Sequence, residues 1–350
     1  MSKNATKLQV GIAGLGKSGW DIHADAFGRL SSLYTVSAVS DPRAERLAEA
    51  AERFGCRTYE SVDTLFADAD LDLVVVATPS HMHVQHAIAA LKAGHHVLIE
   101  KPIAADVDEV DAIARQAASA DRIAAPFQNR RYDPIYLKVK EVIDSGVLGR
   151  IVQVRMGIHG FSRRWDWQTL KKFNGGSLNN TGPHLLDQAL EIFGPDKPEV
   201  FCKLDRALTS GDAEDHAKVV LHGPNNPLVE VEITSCCAYP QDNWLVMGTR
   251  GGLRGTFKSI EWKWVDFDKL EPRPVETEPS DRKYNREQLT WQEESWEVPE
   301  DQAQTPMAVP FYAGLHDAIL GNAPLVVTLN SVRRQIEVLS TCHKKFGLDE

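Results

Sequence analysis

The chain has 350 residues and a formal net charge of −10 at pH 7, with 43% apolar and 25% charged residues. This length predicts two domains, because one hydrophobic core seldom serves more than about 250–300 residues. The negative charge argues against nucleic acids and anionic membranes as partners, and no apolar run is long enough to cross a bilayer. The chain start lacks the apolar segment of a signal peptide, and five scattered cysteines without a C-x-x-C pair favour a reduced, cytoplasmic protein.

The first candidate site is a glycine-rich turn that follows a strand-like run at residues 7–13. A G-x-G-x-x-G motif is formed by Gly14, Gly16 and Gly19, with Lys17 and Ser18 inside it. In dinucleotide-binding folds the first glycine permits a tight turn, the second lets a pyrophosphate approach the backbone, and the third lets a helix pack against the sheet. Free N–H groups at the start of that helix attract phosphate. This turn is therefore predicted to bind a nucleotide.

A second strand is predicted at residues 34–40, and it ends at Asp41. This is the distance from the motif at which an acidic residue binds the adenosine ribose hydroxyls. The same carboxylate could also cap the next helix, with Pro42 in its first position and Gly55 at its end, and the two roles are compatible. A carboxylate repels a 2′-phosphate, which favours NAD, whereas Arg43 keeps NADP open.

The clearest buried strand is predicted at residues 72–77, and it leads through Thr78 and Pro79 into a helical pattern. Three histidines lie at the start of that pattern: His81, His83 and His86. Because positions i, i+2 and i+5 do not share a helix face, no metal site is predicted there. We expect His83 to approach the nicotinamide end of a cleft and the other two histidines to be solvated.

A further apolar run at residues 97–99 ends abruptly in Glu100, Lys101 and Pro102. Such a bounded run indicates a buried strand, and ligands of doubly wound sheets bind outside the carboxyl ends of the strands. Glu100 and Lys101 are therefore expected where cofactor and substrate meet, and the Lys-Pro bond is a candidate cis peptide. From these residues alone, a surface lysine at a strand end is an equally good interpretation.

The pattern changes after residue 126. Strands alternate with helices up to that point, which predicts a parallel sheet with right-handed crossovers. Later strands alternate apolar and polar residues with few helices between them, as in a mainly antiparallel sheet with one open face. We therefore predict an α/β protein with an NAD(P)-binding Rossmann domain at residues 1–126 and an α+β domain at 127–350. Trp262 and Trp264 should face either the core or a second subunit, with the core preferred, and residues 271–300 should form a surface excursion.

In combination, the strand–G-x-G-x-x-G–helix start, Asp41, the Ala77-Thr78-Pro79 turn and the Glu100-Lys101-Pro102 triplet resemble the glucose–fructose oxidoreductase / inositol dehydrogenase (Gfo/Idh/MocA) family. The resemblance covers the whole chain, most firmly residues 7–195, and is greatest to a bacterial branch with sugar and scyllo-inositol dehydrogenases. His184 matches the family's histidine after a glycine-rich loop, although its own segment alone favours a buried structural histidine. Asn180 stands where the family usually has aspartate; it carries no charge but can bond a hydroxyl or orient His184.

The resemblance implies an NAD(P)-dependent oxidoreductase that interconverts an alcohol and a carbonyl on a sugar, inositol or sugar acid. Lys101 would stabilise charge on the reacting oxygen and His184 would accept the hydroxyl proton, although either could be the formal base. The implied substrate contacts are Asn180, Arg163, Arg164, Trp165 and Trp167, the last four forming either a polar-aromatic wall or an ordinary surface loop. The implied cofactor contacts are Gly14, Gly16, Lys17, Ser18, Gly19, Asp41, Arg43, Thr78, Pro79, His83, Glu100, Lys101 and Asn129.

Three alternative functions stay open. An enzyme that retains NAD could use transient oxidation to cleave glycosides or epimerise sugars, and it would release no reduced cofactor. A cofactor-sensing regulator would not need Lys101 and His184, and a scaffold would not need the glycine-rich turn or Asp41. These residues therefore favour the dehydrogenase. An open sheet face further suggests a homodimer or homotetramer.

Overall fold

The first half of the chain forms a parallel sheet. A computed structural model describes residues 6–278, 282 and 284–348, so the predictions for the chain start and for residues 279–281 and 283 lie outside the described residues. The six strands are β1 (Leu8–Ala13), β2 (Tyr34–Ser40), β3 (Arg57–Tyr59), β4 (Leu73–Val76), β5 (His96–Ile99) and β6 (Ala124–Pro126). Their order is β3-β2-β1-β4-β5-β6 and every neighbouring pair is parallel. This confirms the predicted Rossmann sheet.

Helices cover both faces of this sheet. They are α1 (Asp25–Arg29), which continues a π-helical segment at Ser18–Ala24, α2 (Ala44–Phe54), α3 (Val62–Phe66), α4 (His83–Lys92) and α5 (Val107–Ala120). Side chains at their N-termini explain two of the starts: Ser61 accepts the Asp63 N–H before α3, and Asp106 accepts the Glu109 N–H before α5. Gly55 ends α2 at φ 62°, as predicted.

The second half forms an eight-stranded sheet. Its strands are β7 (Ile151–His159), β8 (Glu199–Asp205), β9 (His216–His222), β10 (Leu228–Thr234), β11 (Trp244–Gly248), β12 (Gly251–Gly255), β13 (Ser259–Trp264) and β14 (Gln292–Glu297). The order is β14-β13-β12-β11-β7-β10-β9-β8, and only β7 and β10 run parallel to each other. The predicted mainly antiparallel sheet is confirmed, and Trp262 is buried in its core. The predicted surface excursion at 271–300 contains β14, an edge strand that was not predicted because its exposed side chains show no apolar alternation.

Most of the remaining helices pack against this sheet or return to the first one. They are α6 (Pro134–Asp144), α7 (Ser177–Asn180), α8 (Gly182–Phe193), α9 (Glu300–Gln304), α10 (Ala308–Ile319) and α11 (Leu329–Phe346). The helices α8 and α11 cover the sheet at β10 and β8. In the described part of the chain, no helix combines the length and apolarity that a membrane span requires.

The last two long helices join the two sheets. The Tyr34 hydroxyl at the start of β2 donates to the Tyr312 carbonyl in α10 over 2.8 Å. Arg333 in α11 forms a two-pronged ion pair with Asp111 in α5, with distances of 2.8 and 3.1 Å. The C-terminal helices therefore pack against the cofactor half as well as against their own sheet. The domain boundary at residue 126 stays a prediction.

Candidate active site

The glycine-rich turn joins β1 to the π-helical segment at the carboxyl edge of the first sheet. Gly14 has φ +96°, and a Cβ there would lie 2.6 Å from the Ala77 carbonyl oxygen. A Cβ on Gly19 would collide with the Gly14 carbonyl oxygen, whereas a Cβ on Gly16 would meet no atom within 4 Å. The turn is thus closely packed underneath and open above its second glycine. This arrangement fits a dinucleotide whose pyrophosphate approaches the backbone at Gly16.

Asp41 ties the end of β2 to this turn. Its carboxylate accepts the Leu15 N–H at 2.9 Å and the Arg43 N–H at 3.0 Å, and it pairs with Arg46 at 3.1 Å. The predicted helix cap is wrong, because α2 begins at Ala44 and Arg43 occupies the N-cap position. The carboxylate instead accepts a hydrogen bond from Leu15 in the glycine-rich turn. Arg43 has an extended backbone conformation, so the helix starts only at Ala44.

The other residues predicted around the nucleotide are more exposed. Lys17 projects into solvent and pairs with Asp21 at 3.3 Å, while Ser18 opens the π-helical segment. Arg43 is exposed beside Asp41. Lys17 and Ser18 therefore lie at the end of the turn, and Arg43 lies next to the Asp41 carboxylate that the turn contacts.

His83 is buried beneath the next turn of the sheet edge. One ring nitrogen lies 2.8 Å from the Thr78 carbonyl oxygen and the other lies 2.8 Å from the Pro102 carbonyl oxygen. Burial lowers the pKa of this imidazole, although the two carbonyl groups oppose that effect. Both ring nitrogens of His83 therefore face backbone carbonyl oxygens rather than a cleft, and the nitrogen that carries the proton in the neutral imidazole donates to one of them.

The expectation for His86 is also wrong, whereas that for His81 is confirmed. His86 is buried, and its Nδ1 lies 2.9 Å from the Thr78 hydroxyl, because the inner face of α4 packs against the turn. His81 is exposed, with its ring 5.7 Å from that of Phe173. Among the described residues, no group of three or more histidine, cysteine or acidic side chains could hold a metal ion.

Glu100 points into the protein, contrary to its predicted place facing the ligand. Its carboxylate lies 3.1 Å from His23 Nε2 and accepts the Lys101 N–H at 2.9 Å. The second ring nitrogen of His23 bonds the Tyr312 hydroxyl at 2.8 Å. Burial raises the pKa of Glu100, but His23 and Lys101 outweigh it and lower that pKa to about 2. Glu100 is therefore ionised at neutral pH, and its bonds to His23 and to the Lys101 N–H hold the end of β5 from the protein interior.

The amine of Lys101 lies on the opposite side, towards the glycine-rich loop of the second half. Its Nζ donates to the backbone oxygen of Asn180 at 2.8 Å and to the side-chain oxygen at 3.2 Å. The Lys101-Pro102 peptide is cis, as the sequence suggested. Burial lowers the pKa of this ammonium, Glu100 opposes that, and the positive charges of Arg130 and Arg164 lower it further.

His184 lies in the first turn of α8, with a glutamine behind its ring. Its Nδ1 lies 3.3 Å from Gln128 Oε1, and Gln128 Nε2 donates to Gln335 Oε1 at 3.1 Å. Because the glutamine oxygen accepts, the Nδ1 atom of His184 carries the proton and Nε2 keeps a lone pair. Burial lowers the pKa of His184 well below its usual value, and Lys101 and Arg130 add to this. The site therefore holds a neutral imidazole with a free basic nitrogen.

The position of α8 follows from contacts with the short 3₁₀ helix at Asn129–Tyr132. Arg131 forms a two-pronged ion pair with Asp187, one turn beyond His184, with Nη2 2.9 Å from Oδ1. Gln188 donates to the Arg130 carbonyl at 2.7 Å. These bonds fasten α8 to the segment that carries Gln128 and Asn129, and they explain why the imidazole and the glutamine meet.

The predicted substrate wall is an exposed loop after β7. Arg164 pairs with Asp166 at 2.9 Å, and its charge acts on Lys101. Trp167 lies edge-on against Phe173, with ring centres 6.1 Å apart, whereas Trp165 is 80% exposed. Arg163 is also exposed. The structure therefore brings Arg164 into the electrostatic field of the site, packs Trp167 against Phe173 and leaves the other two side chains in solvent.

Two comparisons with family models agree with this architecture. Residues 8–127 match the model described as "Oxidoreductase family, NAD-binding Rossmann fold", and residues 136–254 match the GFO/IDH/MocA C-terminal domain. The chain belongs to the GFO/IDH/MocA oxidoreductase family. The resemblance inferred from the motifs is confirmed, and the protein is an oxidoreductase of an NAD(P)-binding family.

Individual relatives add detail. Inositol 2-dehydrogenase 2 of Saccharopolyspora erythraea is 31% identical over 278 residues, covering 77% of this chain and 78% of that protein. The scyllo-inositol 2-dehydrogenase (NADP(+)) IolW of Bacillus subtilis is 29% identical over 192 residues, covering 54% and 53% of the two chains. The crystal structure of an NAD-binding protein from Listeria innocua superimposes with a TM-score of 0.77 at 26% identity, covering 95% of this chain and 93% of that one.

Proposed function

We propose that this protein is an NAD(P)-dependent dehydrogenase that interconverts an alcohol and a carbonyl on a sugar, inositol or sugar acid. The observation that carries the proposal is the pairing of a partly buried lysine amine, held by Asn180, with a neutral His184 oriented by Gln128. The charge of Lys101 lowers the pKa of His184, which supports their action on one reacting group.

In this proposal the two side chains divide the acid–base work. A bound NAD(P) would supply the hydride acceptor for alcohol oxidation. His184 Nε2 takes the hydroxyl proton, because Gln128 holds the other ring nitrogen in its protonated form. The Lys101 ammonium donates a hydrogen bond to the same oxygen and stabilises the negative charge that develops there. Carbonyl reduction uses the same groups in reverse.

We propose NAD as the preferred cofactor and NADP as the alternative. The Asp41 carboxylate lies at the end of β2, where it would repel a 2′-phosphate. Its negative charge is partly neutralised by Arg46, and Arg43 is exposed next to it. A relative from Bacillus subtilis is named for NADP(+), so the choice between the two cofactors requires measurement.

The proposed substrate contacts are those of the loop after β7 together with Asn180. The inositol dehydrogenase relatives favour a cyclic polyol or a sugar. Arg130 and Arg164 both lower the pKa of Lys101, so two positive charges lie near the amine. A sugar acid would match those charges and is therefore part of the same substrate class. Light scattering should reveal a homodimer or homotetramer, since alternate side chains of β9 and β10 in the eight-stranded sheet are partly exposed.

The proposal is tested by absorbance of reduced nicotinamide. The purified protein is offered NAD and NADP in parallel against inositols, aldoses, sugar acids and polyols. We expect reduction with at least one substrate class and more rapidly with NAD. Tight NAD binding without net reduction on the whole panel would contradict the dehydrogenase and favour an enzyme that retains its cofactor. An absence of cofactor binding would remove the basis of the proposal.

A further inference from the structure

The loop that carries Asn180 is held from behind by Glu214, a buried residue just before β9. Its side-chain Oε1 accepts the Leu178 N–H at 3.0 Å, and its backbone oxygen accepts the Ser177 N–H at 2.9 Å. Both N–H groups belong to the first turn of α7. The carboxylate can approach this closely because residue 176 is glycine, with φ +105°; a Cβ there would collide with the Glu214 side chain.

The Glu214 contact is close to the site along the chain, because Asn180 is two residues beyond Leu178. The helix α7 has four residues, and Asn180 is its last. Both oxygens of Asn180 accept bonds from Lys101 Nζ. A shift of the first residues of α7 would therefore move the acceptors of the Lys101 amine, since both lie in the same single helical turn.

We propose that Glu214 is a positioning residue for the dehydrogenase reaction: it holds the first turn of α7 and thereby keeps Asn180 against Lys101. This inference deepens the proposed function and rests on it for its kinetic consequences. Glu214 itself touches neither the reacting groups nor the glycine-rich turn of the cofactor half, so its removal affects turnover rather than NAD affinity.

A cavity of about 320 Å³ lies between Glu214 and the chain just after Lys101. It is lined by Pro102, Lys171, Asn179, Glu214 and His343 among others. The charged and titratable groups around the carboxyl are Lys171 on the preceding 3₁₀ turn, Asp215 beside it, and His343 and Cys342 on α11. The cavity gives protons a route to a side chain that is otherwise buried.

The ionisation state of Glu214 is expected to determine how strongly the carboxyl group holds the first turn of α7. Burial raises the pKa of this carboxyl to about 7, against the backbone N–H bonds and Lys171, which lower it. An ionised carboxylate accepts the Leu178 N–H more strongly than a neutral acid does. Turnover is therefore expected to increase as the pH rises through about 7, because the ionised form holds α7 most firmly.

Two substitutions test the inference in the full-length protein. Glu214→Ala removes the side-chain acceptor of the Leu178 N–H and keeps the backbone acceptor of the Ser177 N–H. We expect kcat to fall about tenfold or more at about pH 8, with NAD affinity changed by less than about twofold. Glu214→Gln keeps an acceptor oxygen without the charge, so it should recover much of the activity but lose the increase between about pH 6 and 8. Ser61→Ala, which removes the side-chain cap of α3 in the cofactor half and leaves α7 unchanged, is the matched control. Wild-type kcat in the alanine variant, or an unchanged pH profile in the glutamine variant, overturns the inference.

Hydrogen–deuterium exchange reads the same contact without a substrate. Amides 177–181 should exchange about tenfold faster in Glu214→Ala, less so in Glu214→Gln, and at the wild-type rate in Ser61→Ala. Equal exchange in all variants would overturn the inference even if the protein were an active dehydrogenase. Faster loop exchange in a protein that reduces neither cofactor would support the positioning contact while the proposed function failed.

Discussion

Replacing Asn180 by aspartate introduces a charge beside Lys101 with almost no change of shape. The side-chain oxygen of Asn180 lies 3.2 Å from Lys101 Nζ. Two unit charges at that separation attract by about 5 kcal/mol at an effective dielectric constant of about 20. Neighbouring opposite charges shift pKa values in proteins by about 1–3 units. Asn180→Asp should therefore raise the pKa of Lys101, which burial lowers in the wild type, by about that amount.

The pH dependence of kcat/KM for alcohol oxidation reports this change. If neutral His184 accepts the proton and protonated Lys101 stabilises the oxygen, kcat/KM rises as His184 deprotonates and falls as Lys101 deprotonates. The substitution should therefore move the falling limb up by about 1–3 pH units and leave the rising limb in place. Asn179→Asp is the control, because the Asn179 side chain contacts Gly175 and His343 rather than Lys101.

The outcome also separates the two candidate bases. If the rising limb moved up instead, Lys101 would be the group that must lose its proton, and the assignment of His184 as the base would be wrong. If neither limb moved, the Asn180 contact would not control the amine, and the electrostatic reasoning would be refuted.

Three further predictions follow from the same contacts. Lys101→Met should lower kcat about a hundredfold or more with NAD affinity nearly intact, since it removes the donor to the reacting oxygen; wild-type turnover in steady-state assays would contradict the assignment. Asp41→Ala should weaken NAD binding about tenfold and relax the preference against NADP, as measured by fluorescence titration of both cofactors. An unchanged ratio of the two dissociation constants would show that Asp41 does not select the cofactor and only bonds the glycine-rich turn. The pKa of the Glu214 carboxyl is higher in the folded than in the unfolded protein, so its protonated form stabilises the fold. This contribution to the free energy of unfolding is complete below about pH 4.5 and is lost as the pH rises through about 7. Glu214→Gln should therefore gain about 3 kcal/mol in unfolding free energy relative to wild type over that range, as measured with urea; parallel curves would contradict the shift.

The sequence predicts the cofactor half well because its signals are local. Each central strand is a short apolar run that ends at a glycine, proline or polar residue. Parallel strands bring their carboxyl ends to one edge of the sheet. The glycine-rich turn, Thr78 and Lys101 consequently appear at that edge in the structure. The short strands β3 and β14 escape prediction because they are exposed and show no alternation.

The hydrogen bonds that position the site residues are not predictable in this way, because each joins two residues that are far apart in the sequence. Gln128 meets His184 across 56 positions, and His23 meets Tyr312 across 289. No periodicity or motif connects such pairs. The positions of His184 and Asn180 relative to Lys101 followed only from the family resemblance, and Glu214 carried no signal in the sequence. Long-range hydrogen bonds also explain why Glu100 turns inward, since His23 is already there to receive it.

The order of synthesis matters for the aromatic cluster that closes the cofactor half. Phe27, Tyr34 and Phe127 come from the first half of the chain, and Phe311 and Tyr312 from α10 complete the cluster. About 185 residues separate Phe127 from Tyr312, which a ribosome adds in roughly 10–40 s at about 5–20 residues per second. During that interval the nascent chain exposes an aromatic surface to which a chaperone can bind. A messenger truncated before α10 would leave that surface uncovered permanently, so such fragments should aggregate even though every strand of the first sheet is present.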